Sequence, residues 1–96
     1  MIIVNAKFYI KEDKKFQFLN EIQELISFSK KEAGCIEYSL YESINVQNEF
    51  VMIENWESME TIEKHNSNPL LVKFAQNIGD YSLKKPVLHI VEMKED

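Results

Sequence analysis

Apolar residues in this chain recur with two different periods, and the order of those periods restricts the fold to very few choices. In MIIVNAKFYI, Ile2, Val4, Ala6, Phe8 and Ile10 share one face, while Ile3, Asn5, Lys7 and Tyr9 share the other. That alternation predicts a strand. The polar run KEDKK follows. From Phe16 to Lys31 the residues Phe18, Leu19, Ile22, Leu25 and Ile26 fall on one helical stripe. Gly34 stands where a helix C-cap takes a residue of positive φ. CIEYSLYES alternates again, and a polar turn at Asn45–Asn48 leads into the strand FVMIENW, which predicts a hairpin. Ser58 suits an N-cap, with Glu60 and Glu63 in the turns that follow. The helix pauses at Asn66–Asn68, and Pro69 opens a second segment capped by Asn68 or Ser67. Leu70, Leu71, Phe74, Ala75 and Ile78 form its stripe, Gly79 ends it, and VLHIVEM after Pro86 is a last strand. The order predicts an α+β, ferredoxin-like βαββαβ fold: a four-stranded antiparallel sheet with the helices on one face. With 96 residues, positions 1–96 make one domain.

Several function classes are disfavoured by what the chain lacks. A formal charge of −5, with Lys and Arg never clustered beyond pairs, argues against a nucleic-acid partner. No apolar run approaches the roughly 20 residues of a membrane span. The N-terminus carries neither a basic leader nor a cleavage site, and the single cysteine, Cys35, suits a reducing, cytoplasmic setting. Only Gly34 and Gly79 are glycines, so no glycine-rich nucleotide loop can form. No metal-binding spacing appears either. The expectation is chemistry without a cofactor or metal.

A sheet covered by helices on one face should be polar on the other. Here both faces carry apolar residues: Phe50, Met52 and Trp56 against Val51 and Ile53, and Leu88 and Ile90 against Val87, Val91 and Met93. The uncovered face therefore predicts a homodimer joined through its sheets.

A few residues can carry chemistry. Trp56 ends the third strand and offers either a core plug or one wall of a pocket for a flat ligand, with Met52 on the same strand face. His65 lies at the edge of the second helical stripe, just before the break. It is either a surface histidine or a base for a phenolic proton. Asn5 can hold a substrate oxygen through its amide or simply sit at the sheet rim. Asn55 points away from Trp56. Tyr38, Tyr41 and Tyr81 suit an interface, His89 reads as structural, and Cys35 as buried and inert.

Taken together, EAGCIEYSLYES and FVMIENWESMETIEKHNSNPLLVKF resemble the antibiotic biosynthesis monooxygenase domain, and within it the small bacterial quinol monooxygenases. The most specific parts are E-x-G-C at 32–35, W-E-S at 56–58, the histidine nine residues after that tryptophan, and Pro69. The resemblance implies a dimeric α+β barrel that oxidises an electron-rich aromatic, such as a quinol, with molecular oxygen and no cofactor. It implies His65 as base and Asn5 as anchor for a substrate oxygen, with Trp56, Met52 and Phe74 as pocket walls. The chain departs from the pattern at Met52, where polyketide-oxidising members carry Asn. It departs again at Leu70, where many quinol-type members carry His. The alternatives are a dimeric, non-catalytic module that binds a small aromatic or is stress-associated, and an isomerase of a small phosphorylated ketone using Lys7 and Lys73.

Overall fold

The structure, a computed structural model, describes residues 1–94. Strand β1 (Ile2–Ile10) lies inside the sheet, with a partner on each edge. Its neighbours are β3 (Glu49–Trp56) and β4 (Ser82–Glu92), and β2 (Cys35–Glu42) completes the sheet in the order β2-β3-β1-β4, every pair antiparallel. A single 3-10 turn (Glu12–Lys14) leads into α1 (Lys15–Ser29). Helices α2 (Met59–Asn66) and α3 (Pro69–Tyr81) follow β3. This is the ferredoxin-like arrangement that the periodicity predicts, with its second helix in two pieces.

The break between α2 and α3 is built by its caps. The Ser58 hydroxyl accepts from the Thr61 backbone N–H and the Ser58 N–H donates to the Thr61 hydroxyl, a reciprocal capping box. Asn68 caps α3 by accepting from the Leu70 N–H, and Pro69 takes the first helical position, where no donor is needed. Helix α3 runs on past Gly79 to Tyr81, because nothing crowds that glycine and Ser82 Oγ bonds the Ile78 carbonyl. Strand β4 likewise starts at Ser82 rather than after Pro86. It is an edge strand whose register against β1 slips twice between Lys7 and Ile10. Pro86 therefore falls in a bulge, where its missing N–H breaks no ladder bond.

Ile2, Val4, Ala6, Phe8 and Ile10 of β1 and Phe50, Met52 and Trp56 of β3 face the helices and are buried there against Phe18, Ile22 and Leu25 of α1, Ile62 of α2 and Phe74 of α3. The register sorts this face into rows. Phe8 and Phe50 pair in one row, and with Phe18 and Phe74 they form an aromatic plug with ring centroids 5.1–6.1 Å apart. Ile2 and Trp56 pair three rows away. Between them lie the rows Leu40–Met52–Ala6–Leu88 and Tyr38–Glu54–Val4–Ile90. Small Ala6 and Val4 on the central strand leave room there that the flanking aromatics cannot fill.

Gly34 is not the cap of α1, which ends in right-handed conformation at Lys30. It lies four residues later at φ +83°, and a Cβ there would stand 2.3 Å from Thr61 Cγ2. The missing side chain lets the loop after α1 press against the first turn of α2, where the Gly34 carbonyl accepts from the Glu57 N–H. Gly34→Ala therefore lowers unfolding free energy by about 2 kcal/mol or more. Gly79→Ala raises it by up to about 1 kcal/mol. Urea denaturation of both variants checks the pair, and equal effects would refute this account of Gly34.

Candidate functional site

The two middle rows floor a cavity of about 300 Å³ beneath the helices. Val4, Ala6, Phe8, Met52, Ile22, Leu25, Ile62 and Phe74 make its walls apolar, and its mouth lies along β4 at Leu88 and Ile90. Tyr38, Glu54 and His65 gather as polar groups at one end, and Asn66, next to His65 in the chain, is also in the lining. A wider groove of about 450 Å³ between α1 and β2 lies open to solvent beside Tyr41 and Glu42 and has no enclosed polar end.

His65 organises that end. It sits one turn after Ile62 on the inward stripe of α2 and is 3% exposed. Its Nδ1 lies 2.7 Å from Glu32 Oε1, and its Nε2 lies 3.3 Å from the Tyr38 hydroxyl and 4.0 Å from Glu54 Oε1. The carboxylate at Nδ1 selects the tautomer protonated there, so Nε2 carries the lone pair and accepts from Tyr38. Glu32 is held in turn by Asn68, whose Nδ2 donates to it at 3.4 Å while its Oδ1 caps α3. The helix break thus steers both the histidine and its carboxylate.

Trp56 is fully buried behind this cluster, its ring 4.7 Å from the imidazole and 6.3 Å from the Tyr38 ring. The indole Nε1 donates to Glu54 Oε1 at 3.0 Å. Burial pushes the Glu54 carboxyl above the ordinary carboxylate range, opposed by the indole hydrogen bond and by the nearby imidazole. Burial also raises the Tyr38 hydroxyl, with the Glu54 charge second, so that hydroxyl keeps its proton to donate. The Cys35 thiol is pushed up to about 11 by burial and then by the charges of Glu54 and Glu32. It is half-buried, and a thiol so protonated is no nucleophile.

Of the residues singled out from sequence, Met52, Phe74 and His65 meet at the cavity. His65 is no surface residue, because the Glu32 carboxylate compensates its burial. Trp56 does not line the cavity; it backs the imidazole and anchors Glu54. Asn5 lies on the opposite face of the sheet, paired with Ile53 and His89, because odd-numbered residues of β1 point away from the helices. It does not join the other four. Lys7 shares that outer face, 3.8 Å from Glu49, and Lys73 is exposed on α3, so the two cannot grip one phosphate in the cavity. Tyr38 belongs to the site rather than to an interface, and the Tyr81 hydroxyl donates to Glu21. Glu32 and Glu54 were missed as site residues. The alternation of β3 already put Glu54 on the face of Phe50, Met52 and Trp56, and a carboxylate among such residues was the available signal. For Glu32 no local signal existed, since its partner lies 33 positions away. Among the described residues no group of three or more His, Cys, Asp or Glu side chains is placed to hold a metal ion. No helix there is long and apolar enough to cross a membrane.

Comparison with known proteins gives a consistent result. The model of the family described as "Antibiotic biosynthesis monooxygenase" matches residues 1–77. The Bacillus subtilis protein named "Putative monooxygenase YcnE" is 36% identical over 66 residues, which span 69% of this chain and 70% of that protein. The solved structure of Rv0793 from Mycobacterium tuberculosis superposes with a TM-score of 0.91 at 21% identity, covering 99% of this chain and 96% of the other. A conserved protein from Methanosarcina mazei superposes with a TM-score of 0.92 at 26% identity, covering 97% and 92%.

Glu54 leaves a signature in stability. A carboxyl whose folded-state pKa is raised binds its proton more tightly folded than unfolded. Below its ordinary value of 4.5 it costs the fold nothing, and the penalty grows as pH rises through the folded-state value. Glu54→Gln, which keeps an acceptor for the indole, is therefore more stable than the parent at neutral pH, with the gain vanishing toward pH 4. Thermal melts across that range check it; a gain independent of pH would refute the shift.

Proposed function

The chain belongs to the antibiotic biosynthesis monooxygenase family, and we propose that it oxidises a quinol or similar electron-rich aromatic with molecular oxygen, using no flavin or metal. The observation that supports this most is a buried imidazole, oriented by a carboxylate, opening on an apolar cavity. His65 Nε2 takes the substrate's hydroxyl proton, and Glu32 stabilises the imidazolium that forms. The resulting phenolate spreads its charge over the ring and passes one electron to oxygen. Radical and superoxide combine at a ring carbon that bears hydrogen. The imidazolium returns its proton to the peroxide, and water leaves, so one oxygen atom stays in the product as a carbonyl. Dry walls from Met52 and Phe74 hold the ring and keep bulk water from the reactive anion.

A non-catalytic reading, a dimeric module that holds a small aromatic, is favoured by one observation: Nε2 already faces the Tyr38 hydroxyl at 3.3 Å. Oxygen uptake separates the two. With a panel of reduced naphthoquinols and anthrones, the parent consumes oxygen above the buffer rate. His65→Gln, whose amide can still reach Glu32, loses about a hundredfold or more. No uptake across the panel refutes the oxygenase, and full activity in His65→Gln refutes that residue as base.

The same reading includes a homodimer, supported by β4. Val87, Leu88, Ile90, Val91 and Met93 are all 40% or more exposed, so this edge strand is apolar on both faces. Ile3 and Ile53 extend the outer patch, and a second copy is the cover that would hide it. Sedimentation equilibrium is expected to give twice the chain mass, and Val91→Glu, which puts a charge on the outer face beside Ile3, is expected to give monomer. A parent that stays monomeric at micromolar concentration overturns this.

A further inference from the structure

The cavity's polar end has a charge character that restricts what it can take. Glu54 is 8% exposed and lines the cavity. Its Oε1 is occupied by the indole N–H, and among the described residues its Oε2 makes no hydrogen bond. No lysine or arginine lines the cavity. The second carboxylate of the cluster, Glu32, stands behind the imidazole. A ligand's polar atom at this end therefore meets the free acceptor oxygen of Glu54, beside an imidazole whose Nε2 accepts from the Tyr38 hydroxyl.

We propose that Glu54 is the specificity-determining residue of the cavity: its Oε2 accepts the hydrogen bond of a neutral aromatic hydroxyl, and its charge turns away arenes carrying a carboxylate or phosphate. This rests on the cavity being the aromatic site described above. A hydroxyl bonded to Oε2 sits close to Nε2, since the imidazole is 4.0 Å from the neighbouring oxygen of the same carboxylate. Glu54 thus places the proton that His65 removes. An anionic group in the same place faces a buried like charge with no cation to offset it. At about 300 Å³ the cavity lies at the low end of ligand pockets, which suits a bicyclic ring system.

The test is binding, measured by calorimetry under argon at mildly alkaline pH with 2-naphthol, naphthalene and 2-naphthoate. The parent binds 2-naphthol about tenfold or more tighter than either of the others, the worth of a hydrogen bond to a charged group. Glu54→Gln narrows the gap between naphthol and naphthoate severalfold, while Glu63→Gln, which removes an exposed carboxylate of α2 outside the cavity lining, leaves it in place. Equal affinities in the parent, or an unchanged gap in Glu54→Gln, overturn the proposal. Should Glu54→Gln fail to fold, a crystal structure of the parent with 2-naphthol decides. A hydroxyl within hydrogen-bond distance of Glu54 upholds it, and one at the mouth beside Leu88 overturns it. Oxygen turnover plays no part in these readouts. A preserved preference without oxygen uptake leaves this inference standing and removes the oxygenase, and uptake without the preference does the reverse.

Discussion

The hydrogen bond between Glu32 and His65 ties the loop after α1 to the last turn of α2, and the rest of the site is arranged around it. A histidine on the inward stripe of a helix is costly to bury without a partner. Glu32 supplies that partner, and Asn68 supplies the bond that steadies Glu32. The loop can reach α2 only because Gly34 carries no side chain where Thr61 stands. The E-x-G-C stretch therefore acts as one unit: a carboxylate for the imidazole, a close approach for the helix, and a strand that starts opposite Trp56.

Space in the site comes from a mismatch of sizes. The aromatic plug at one end and Trp56 at the other are large, while the central strand between them carries valine and alanine. Helices resting on the tall ends cannot descend onto the low middle, because interiors are packed by rigid side chains rather than by fluid ones. The cavity is a consequence of that profile, and its single polar end is a consequence of register, which sets Tyr38, Glu54 and Val4 in one row. The result is a largely apolar pocket with a proton-accepting group at one end.

Much of the architecture was legible along the chain. The nine alternating residues of β1, the stripe of α1 and the Ser58, Asn68 and Pro69 caps are local signals, and local physics decides them. The ends of α3 and β4 were misjudged for one reason. Intrinsic preference makes Gly79 and Pro86 stop signals, whereas an uncrowded helix face and a bulged edge strand tolerate them. Parity alone assigns Met52, Glu54 and Trp56 to one face, and the same parity rule removes Asn5 from the group it was expected to join.

The order of elements, the apolar faces and the identity of His65 as an unusual residue were determined by the sequence itself, since periodicity and caps act over a few residues. Tertiary structure alone decided that Glu32 reaches that histidine, that Tyr38 turns inward, and that Trp56 stands behind the imidazole instead of beside the ligand. Those outcomes depend on pairings between residues 9 to 33 positions apart. Such pairings form when strands settle into register and a glycine lets two backbones touch, and no local pattern records them.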